Sequence, residues 1–112
     1  MSYGDRRLMA NTRLETLKGL LDQNPNDAFA RYGLATEYLN TGEWDQAIGE
    51  FEALISVNPE YAAAYYHGGR TLEKLGRRDD ARMMYERGIE VTGKTGDAHT
   101  QSELQTALQL LE

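Results

Sequence analysis

The chain of 112 residues is long enough for one domain with a buried core, and its 40% hydrophobic and 27% charged residues suit a globular protein. A formal net charge of -6, without any dense Lys/Arg block, argues against binding to nucleic acid or to anionic membranes. The absence of cysteine excludes disulfides, thiolate catalysis and cysteine-based zinc sites. No apolar run reaches the roughly 20 residues of a membrane span and residues 1–10 lack a signal peptide's hydrophobic stretch, so a cytoplasmic location is expected.

Helical hydrophobic periodicity divides the chain into four segments. The sequence predicts a lone helix, two helix–turn–helix units and a final helix that caps the open end, over residues 5–24, 27–58, 60–92 and 98–111. Gly42 and Gly76 mark the turn inside each unit, because glycine accepts the left-handed conformation of a helix end. Asn24-Pro25 and Asn58-Pro59 separate the units. An all-α fold of about six helices is therefore expected.

The two units repeat at a fixed spacing. Shifting the chain by 34 residues along itself superimposes like residues at five places, namely Pro25 on Pro59, Tyr32 on Tyr66, Gly42 on Gly76, Ala47 on Ala81 and Phe51 on Tyr85. The same shift places Leu20 on Leu54, so the first helix corresponds to the second helix of a unit. Repeats of this length are typical of solenoids, in which each unit buries its apolar face only against its neighbours.

This spacing resembles the tetratricopeptide repeat, whose unit of about 34 residues follows W-x2-L-G-x2-Y, then A-x3-F, then P. The matching residues are Leu34, Ala35, Tyr38, Ala47, Phe51 and Pro59 in the first unit and Tyr65, Gly69, Ala81 and Tyr85 in the second. Arg31 replaces the tryptophan, and Gly68, Leu72 and Gly93 are further departures. The resemblance covers nearly the whole chain and implies a right-handed solenoid with a C-terminal capping helix, as in small stand-alone bacterial proteins of this family.

The resemblance also implies where a partner binds, because the first helix of each unit lines the concave surface in this family. By register, the predicted groove residues are Phe29, Tyr32, Thr36, Asn40, Ala63, Tyr66, Arg70 and Glu73. Tyrosine and arginine are common at binding hot spots, so this face predicts a non-catalytic scaffold that binds a peptide or a partner helix. The alternative is that both tyrosines simply pack against the preceding helix. Some family members clamp chaperone C termini with several lysines and asparagines along this face. The corresponding surface here offers Tyr32, Thr36, Tyr66 and Arg70, so the basic clamp is absent and chaperone-tail binding is not expected.

Two other functions are weighed against this one. A homodimer through Tyr61, Tyr65 or the capping helix is the second hypothesis, because a short solenoid has two exposed ends. Nucleotide binding is the third, because residues 88–95 fit G-x-x-x-x-G-K-[ST] letter for letter. A phosphate-binding loop must follow a buried strand, whereas Gly88 continues a helix here. Residues 93–96 are expected to form the exit of that helix and a loop.

No catalytic, metal or cofactor site is expected. His67 and His99 lack dyad partners at suitable spacing and are expected at helix surfaces, and two histidines without cysteine are too few for structural zinc. The acidic residues Asp79, Asp80, Glu86 and Glu90 are expected on a solvated helix face rather than around calcium. The Gly68-Gly69 pair predicts the close approach of a neighbouring helix, with a dent in the binding face as the alternative. Leu111-Glu112 matches a purification-tag remnant and carries no weight.

Overall fold

The computed structural model describes the backbone of residues 3–111 and the side chains of residues 12–111. Within that part of the chain it consists of six α-helices and no strand: α1 Tyr3–Gln23, α2 Ala28–Asn40, α3 Trp44–Val57, α4 Ala62–Lys74, α5 Arg78–Thr95 and α6 Ala98–Leu111. The prediction of an all-α helical solenoid is confirmed. Glu112, weighed above as part of a tag remnant, lies outside the described residues.

The end of α5 differs from the expectation that residues 93–96 form an exit and a loop. The helix continues through Gly93 to Thr95, and the chain leaves it only at Gly96, whose φ of 80° is left-handed. Glycine permits this conformation without a steric penalty, and the glycine at position 93 stays helical. As a result α6 begins at Ala98, 36 residues after the start of α4, whereas α4 begins 34 residues after α2.

Consecutive helices pack against each other, and α4 also contacts α6. The core between them is formed by large side chains that are almost fully buried, notably Phe51, Leu54, Tyr65, Leu72, Tyr85 and Leu104. A smaller cluster joins α1 to α2 and contains Leu14, Leu21, Ala30 and Leu34. The molecule measures 41 × 29 × 21 Å along its principal axes, as expected for a short stack of helix pairs. Across residues 3–111, no helix combines the length and the apolar character that crossing a bilayer requires.

Arg31, at the position where the family pattern has tryptophan, joins three elements by polar contacts. Its Nη1 donates to Glu50 Oε2 of α3 at 2.8 Å, and its Nη2 donates to the carbonyl oxygen of Pro25 at 2.9 Å. The ion pair is largely shielded, with side-chain exposures of 18% and 25%. A charge-assisted bridge therefore links α2 to α3 and to the preceding turn, where an indole would have packed.

The two adjacent glycines of α4 have different surroundings. A Cβ atom on Gly69 would lie 2.2 Å from Tyr85 Cε1, so the aromatic ring of α5 packs directly on the helix backbone at this point. A Cβ atom on Gly68 would lie 3.4 Å from the end of Met84, an ordinary contact distance. Close helix approach therefore explains Gly69, whereas Gly68 has room for a methyl group.

Candidate functional site

The predicted groove residues of α2 are spread along the helix and differ in exposure. Phe29 is 81% exposed, and Asn40 is exposed at the other end of α2. Thr36 is half-buried, and its hydroxyl donates to the carbonyl oxygen of Gly33 at 2.9 Å. These side chains therefore present one aromatic and one amide group to solvent, separated by the length of the helix.

Tyr32 is half-buried between three helices. Its ring centroid lies 5.3 Å from that of Tyr61, 6.0 Å from that of His67 and 6.4 Å from that of Phe51. Burial raises the pKa of the Tyr32 hydroxyl. Much of the Tyr32 ring therefore packs α2 against α3 and α4. This is the alternative to a binding role that the sequence left open for the tyrosines.

Tyr66 and Arg70, one turn apart on α4, form a connected pair. Arg70 Nη1 donates to Tyr66 Oη at 3.1 Å, and the guanidinium carbon lies 5.9 Å from the centre of the tyrosine ring. The hydrogen bond is the leading cause that raises the pKa of Arg70, which therefore stays charged. The exposed guanidinium keeps donors available for a further acceptor, since it carries five N–H groups.

A cleft of about 450 Å³ is lined by residues of α4 and α6, and we call it the α4–α6 cleft. It is lined by Tyr66, Arg70, Glu73, His99, Ser102, Glu103, Thr106, Ala107 and Leu110. Three predicted groove residues of α4 therefore lie in one concave site, namely Tyr66, Arg70 and Glu73. Phe29, Tyr32, Thr36 and Asn40 do not line it, so α2 and α4 do not share this cleft.

The sequence did not predict the lining residues of α6, because that helix was expected to act as a cap or, in the homodimer alternative, as a dimer contact. A detectable signal was present in the length of α5. At an offset of 36 residues rather than 34, three α6 residues fall on α4 positions, Ser102 on Tyr66, Thr106 on Arg70 and Leu110 on Lys74. The last helix therefore follows the register of a first helix of a unit and supplies the second wall of the cleft.

The carboxylate of Glu73 is held from inside the protein. Tyr85 of α5 is fully buried, and its hydroxyl donates a short hydrogen bond to Glu73 Oε2. Burial first, and the hydrogen bond to the carboxylate second, raise the pKa of Tyr85, so the phenol remains a donor at every physiological pH. The missing side chain at Gly69 is what lets the tyrosine ring lie against α4 and reach Glu73.

The acidic residues of α5 are all exposed, as expected for a solvated helix face, and three of the four form ion pairs along the helix surface. Asp80 accepts from Arg77 at 2.9 Å, Asp79 from Arg82 at 3.1 Å, and Glu90 from Lys94 at 3.1 Å. Among the residues whose placement is described, no group of three or more His, Cys, Asp or Glu side chains could hold a metal ion.

The segment 88–95, which fits the phosphate-loop pattern, lies entirely within α5. Gly88 is buried, and a Cβ atom there would lie 2.6 Å from Tyr65 Cβ, while the Thr92 hydroxyl donates to the Gly88 carbonyl oxygen at 2.8 Å. Lys94 pairs with Glu90 on the helix surface. The segment therefore has neither the preceding strand nor the loop of amide groups that cradles phosphate.

His67 does not lie on an open helix surface, contrary to the sequence expectation. Its ring stacks on Phe51 at 6.2 Å with an interplanar angle of 20°, and the Tyr66 ring meets its edge at 5.3 Å. Aromatic residues of α2 and α3, far away in sequence, pack against this half-buried imidazole. Burial lowers the pKa of His67; the charge of Glu103 opposes this shift and that of Arg70 adds to it.

The lowered pKa of His67 predicts a dependence of stability on pH. The unfolded chain binds more protons just below the ordinary histidine pKa of 6.5, so the free energy of unfolding falls as pH drops from that value through the folded-state pKa. His67→Phe, which keeps a ring in place, should remove this slope below the ordinary histidine pKa of 6.5 in urea denaturation measured as a function of pH. His99→Gln on exposed α6 should retain it. An unchanged slope in His67→Phe would mean that another group causes the dependence.

Comparison with known proteins settles the family. Residues 32–98 match the family model of the tetratricopeptide repeat. The chain belongs to the tetratricopeptide-repeat family. This family is generally a non-catalytic protein-interaction fold.

Individual tetratricopeptide-repeat (TPR) proteins are similar over most of the chain. TPR repeat-containing protein PA0015 of Pseudomonas aeruginosa is 25% identical over 99 residues, which are 88% of this chain and 94% of that protein. The solution structure of a tetratricopeptide repeat domain protein from Salinibacter ruber is 42% identical with a TM-score of 0.75, and covers 80% of this chain and 90% of that one. The TPR2B domain of yeast Sti1, solved as a complex with pHsp70, shares the fold with a TM-score of 0.84 at 11% identity, over 95% of this chain and 85% of that one.

Proposed function

We propose that this tetratricopeptide-repeat protein is a non-catalytic scaffold that binds a peptide segment or a partner helix in the α4–α6 cleft. The observation that carries the proposal is the cleft itself, which joins Tyr66 and Arg70 of α4 to the facing side of α6 in about 450 Å³. No cofactor takes part in this function.

The composition of the cleft suits a protein ligand. Tyrosine and arginine, the residues most enriched at binding hot spots, lie side by side on one wall. Leu110 on the other wall is 83% exposed, and a bound segment would remove its apolar surface from water. The complex of the structurally similar TPR2B domain with pHsp70 supports a partner-binding role for a fold of this kind.

The setting proposed for this scaffold is a bacterial cytoplasm. Similar proteins from Pseudomonas aeruginosa and Salinibacter ruber support a bacterial source. The cytoplasmic location rests on the sequence expectation.

Affinity capture from native bacterial extract tests the proposal. The double substitution Tyr66→Ala/Arg70→Ala should reduce retention of the specific partner at least about tenfold, because it removes both hot-spot side chains from one wall. The matched control is Met83→Ala/Arg87→Ala, which removes a large exposed side chain and an arginine at the same spacing from α5. All three proteins must show equal thermal stability before capture.

Each outcome of the capture has one meaning. A partner retained by wild type and by the α5 variant but lost from the α4 variant supports binding in the cleft. A partner lost only from the α5 variant contradicts it and moves the site to the outer helices. If wild type retains only further copies of itself, the self-assembling homodimer becomes the function. The exposure of Leu20 supports the homodimer as a second candidate function, because Leu20 is 44% exposed whereas its repeat counterpart Leu54 is fully buried.

A further inference from the structure

Two carboxylates of the α4–α6 cleft lack a permanent cationic partner. Glu73 and Glu103 both line the cleft, and among residues 12–111 neither forms an ion pair with a lysine or arginine. His99 Nε2 lies 3.4 Å from Glu103 Oε1 and is charged only when the imidazole is protonated. Arg70 interacts electrostatically with Glu73 from the same helix but forms no ion pair with it. The opposite walls of the cleft therefore each carry a negative charge that a ligand can neutralise.

Glu73 is also pre-ordered for such a contact. The buried Tyr85 hydroxyl donates to Oε2, which leaves Oε1 and the remaining lone pairs of the carboxylate for a second donor. A side chain that is already fixed loses little conformational freedom on binding. The hydrogen bond from α5 therefore makes Glu73 a better anchor than a mobile surface glutamate.

The single guanidinium of the cleft does not cancel this acidity. Arg70 is already oriented by its hydrogen bond to Tyr66, and one positive charge faces two negative ones. The chain as a whole has a formal net charge of -6, which attracts cationic ligands and repels anionic ones at long range. An acidic ligand that paired with Arg70 would have to approach Glu73 and Glu103 as well.

The same cleft offers an apolar contact beside its carboxylates. Leu110 is 83% exposed at one side, and Ala107 lies one turn before it on α6. Burying the apolar surface of this leucine under a ligand would contribute favourably to the free energy of binding. Leu110 also lies on the same wall of the cleft as Glu103. An occupant with an apolar side chain next to a cationic one would satisfy both features at once.

We infer that the occupant of the α4–α6 cleft is a peptide segment in which a lysine or arginine adjoins an apolar residue. The cationic group lies between Glu73 and Glu103, the apolar side chain covers Leu110, and Arg70 donates to a peptide carbonyl. This inference rests on the proposed function and specifies the chemistry of its partner.

The test is selection of a phage-displayed random 12-residue peptide library on the purified chain, followed by fluorescence anisotropy with the most enriched synthetic peptide. Selected peptides should be enriched in Lys or Arg next to Leu, Ile, Phe or Trp. The isosteric double substitution Glu73→Gln/Glu103→Gln should lower the affinity for the selected peptide about tenfold, because two charge-assisted contacts become neutral. The control Glu15→Gln/Glu86→Gln removes the same charge from exposed positions on α1 and α5 and should leave affinity within about twofold.

The outcomes separate this inference from the function on which it rests. Basic–apolar peptides whose affinity depends on the two cleft glutamates establish it. Selection of acidic or neutral peptides that Tyr66→Ala/Arg70→Ala abolishes would overturn the inference but keep the cleft as a binding site. Selection of basic peptides whose affinity falls equally in both double Gln variants would also overturn it, since affinity would then depend on the net charge of the chain and not on the two cleft glutamates. Failure to enrich any peptide would overturn both.

Discussion

Leu54→Ala should lower the free energy of unfolding by about 2–5 kcal/mol, because a fully buried core leucine is lost and a cavity remains. Leu54 belongs to α3 and lies in the main core cluster with Phe51 and Tyr85. The measurement is urea denaturation followed by circular dichroism, with comparable m-values in both proteins as evidence of a common unfolding transition.

The chain contains its own control for this substitution. Leu20 occupies the same repeat position as Leu54, 34 residues earlier, but is 44% exposed, and within the described part of the chain α1 packs chiefly against α2. Leu20→Ala should therefore cost about 1 kcal/mol or less. Equal losses at the two positions would contradict the reading of α1 as a half repeat with an open face, and would point to a second copy that buries Leu20.

Gly69→Ala should destabilise the protein by about 2–3 kcal/mol, because the new methyl group would overlap the Tyr85 ring at 2.2 Å. The ring has little freedom to move away, since it is fully buried and its hydroxyl is bonded to Glu73. Displacing Tyr85 would also release the Glu73 carboxylate into the cleft. Thermal and urea denaturation measure the loss of stability.

The neighbouring glycine gives the opposite expectation. Gly68→Ala places a methyl group at 3.4 Å from the flexible end of Met84 and should stabilise the helix by up to about 1 kcal/mol. Two adjacent substitutions of the same type should thus change stability in opposite directions. A stabilising Gly69→Ala would show that α5 does not pack on the α4 backbone as described.

Much of the fold could be predicted because the repeat places its packing residues at fixed spacings. Pro25, Pro59, Gly42 and Gly76 lie at the turns between helices, and the aromatic positions 51 and 85 lie in the core. Each of these residues acts through local backbone preference or through contact with an adjacent helix. Such determinants are visible in a single sequence.

What the sequence did not reveal depends on contacts between distant residues. Gly93 and Gly96 have the same local preferences, and only the packed structure decides that the second of them ends α5. That choice sets the register of α6 and so its part in the cleft. Likewise, His67 packs against rings of α2 and α3 that no local pattern connects to it.

The candidate site could likewise be predicted from the sequence only in part. Family register identified Tyr66, Arg70 and Glu73 as neighbours on one helix face, since residues three and four apart on a helix are adjacent. The fixing of Glu73 by Tyr85 required the close approach at Gly69, which only the packing of α4 on α5 reveals. Phe29, Tyr32, Thr36 and Asn40 share the register but lie outside the cleft.

The most direct test of partner binding in the α4–α6 cleft is an amide chemical-shift map. The ¹⁵N-labelled chain is titrated with the captured partner segment, or with the peptide selected from the library, and each backbone signal is followed. Binding in the cleft predicts shifts concentrated at residues 63–74 and 98–110, with α1 and the exposed sides of α3 and α5 unchanged. Shifts confined to α3 and α5, or to α1, would contradict the central claim and place the binding surface elsewhere on the molecule.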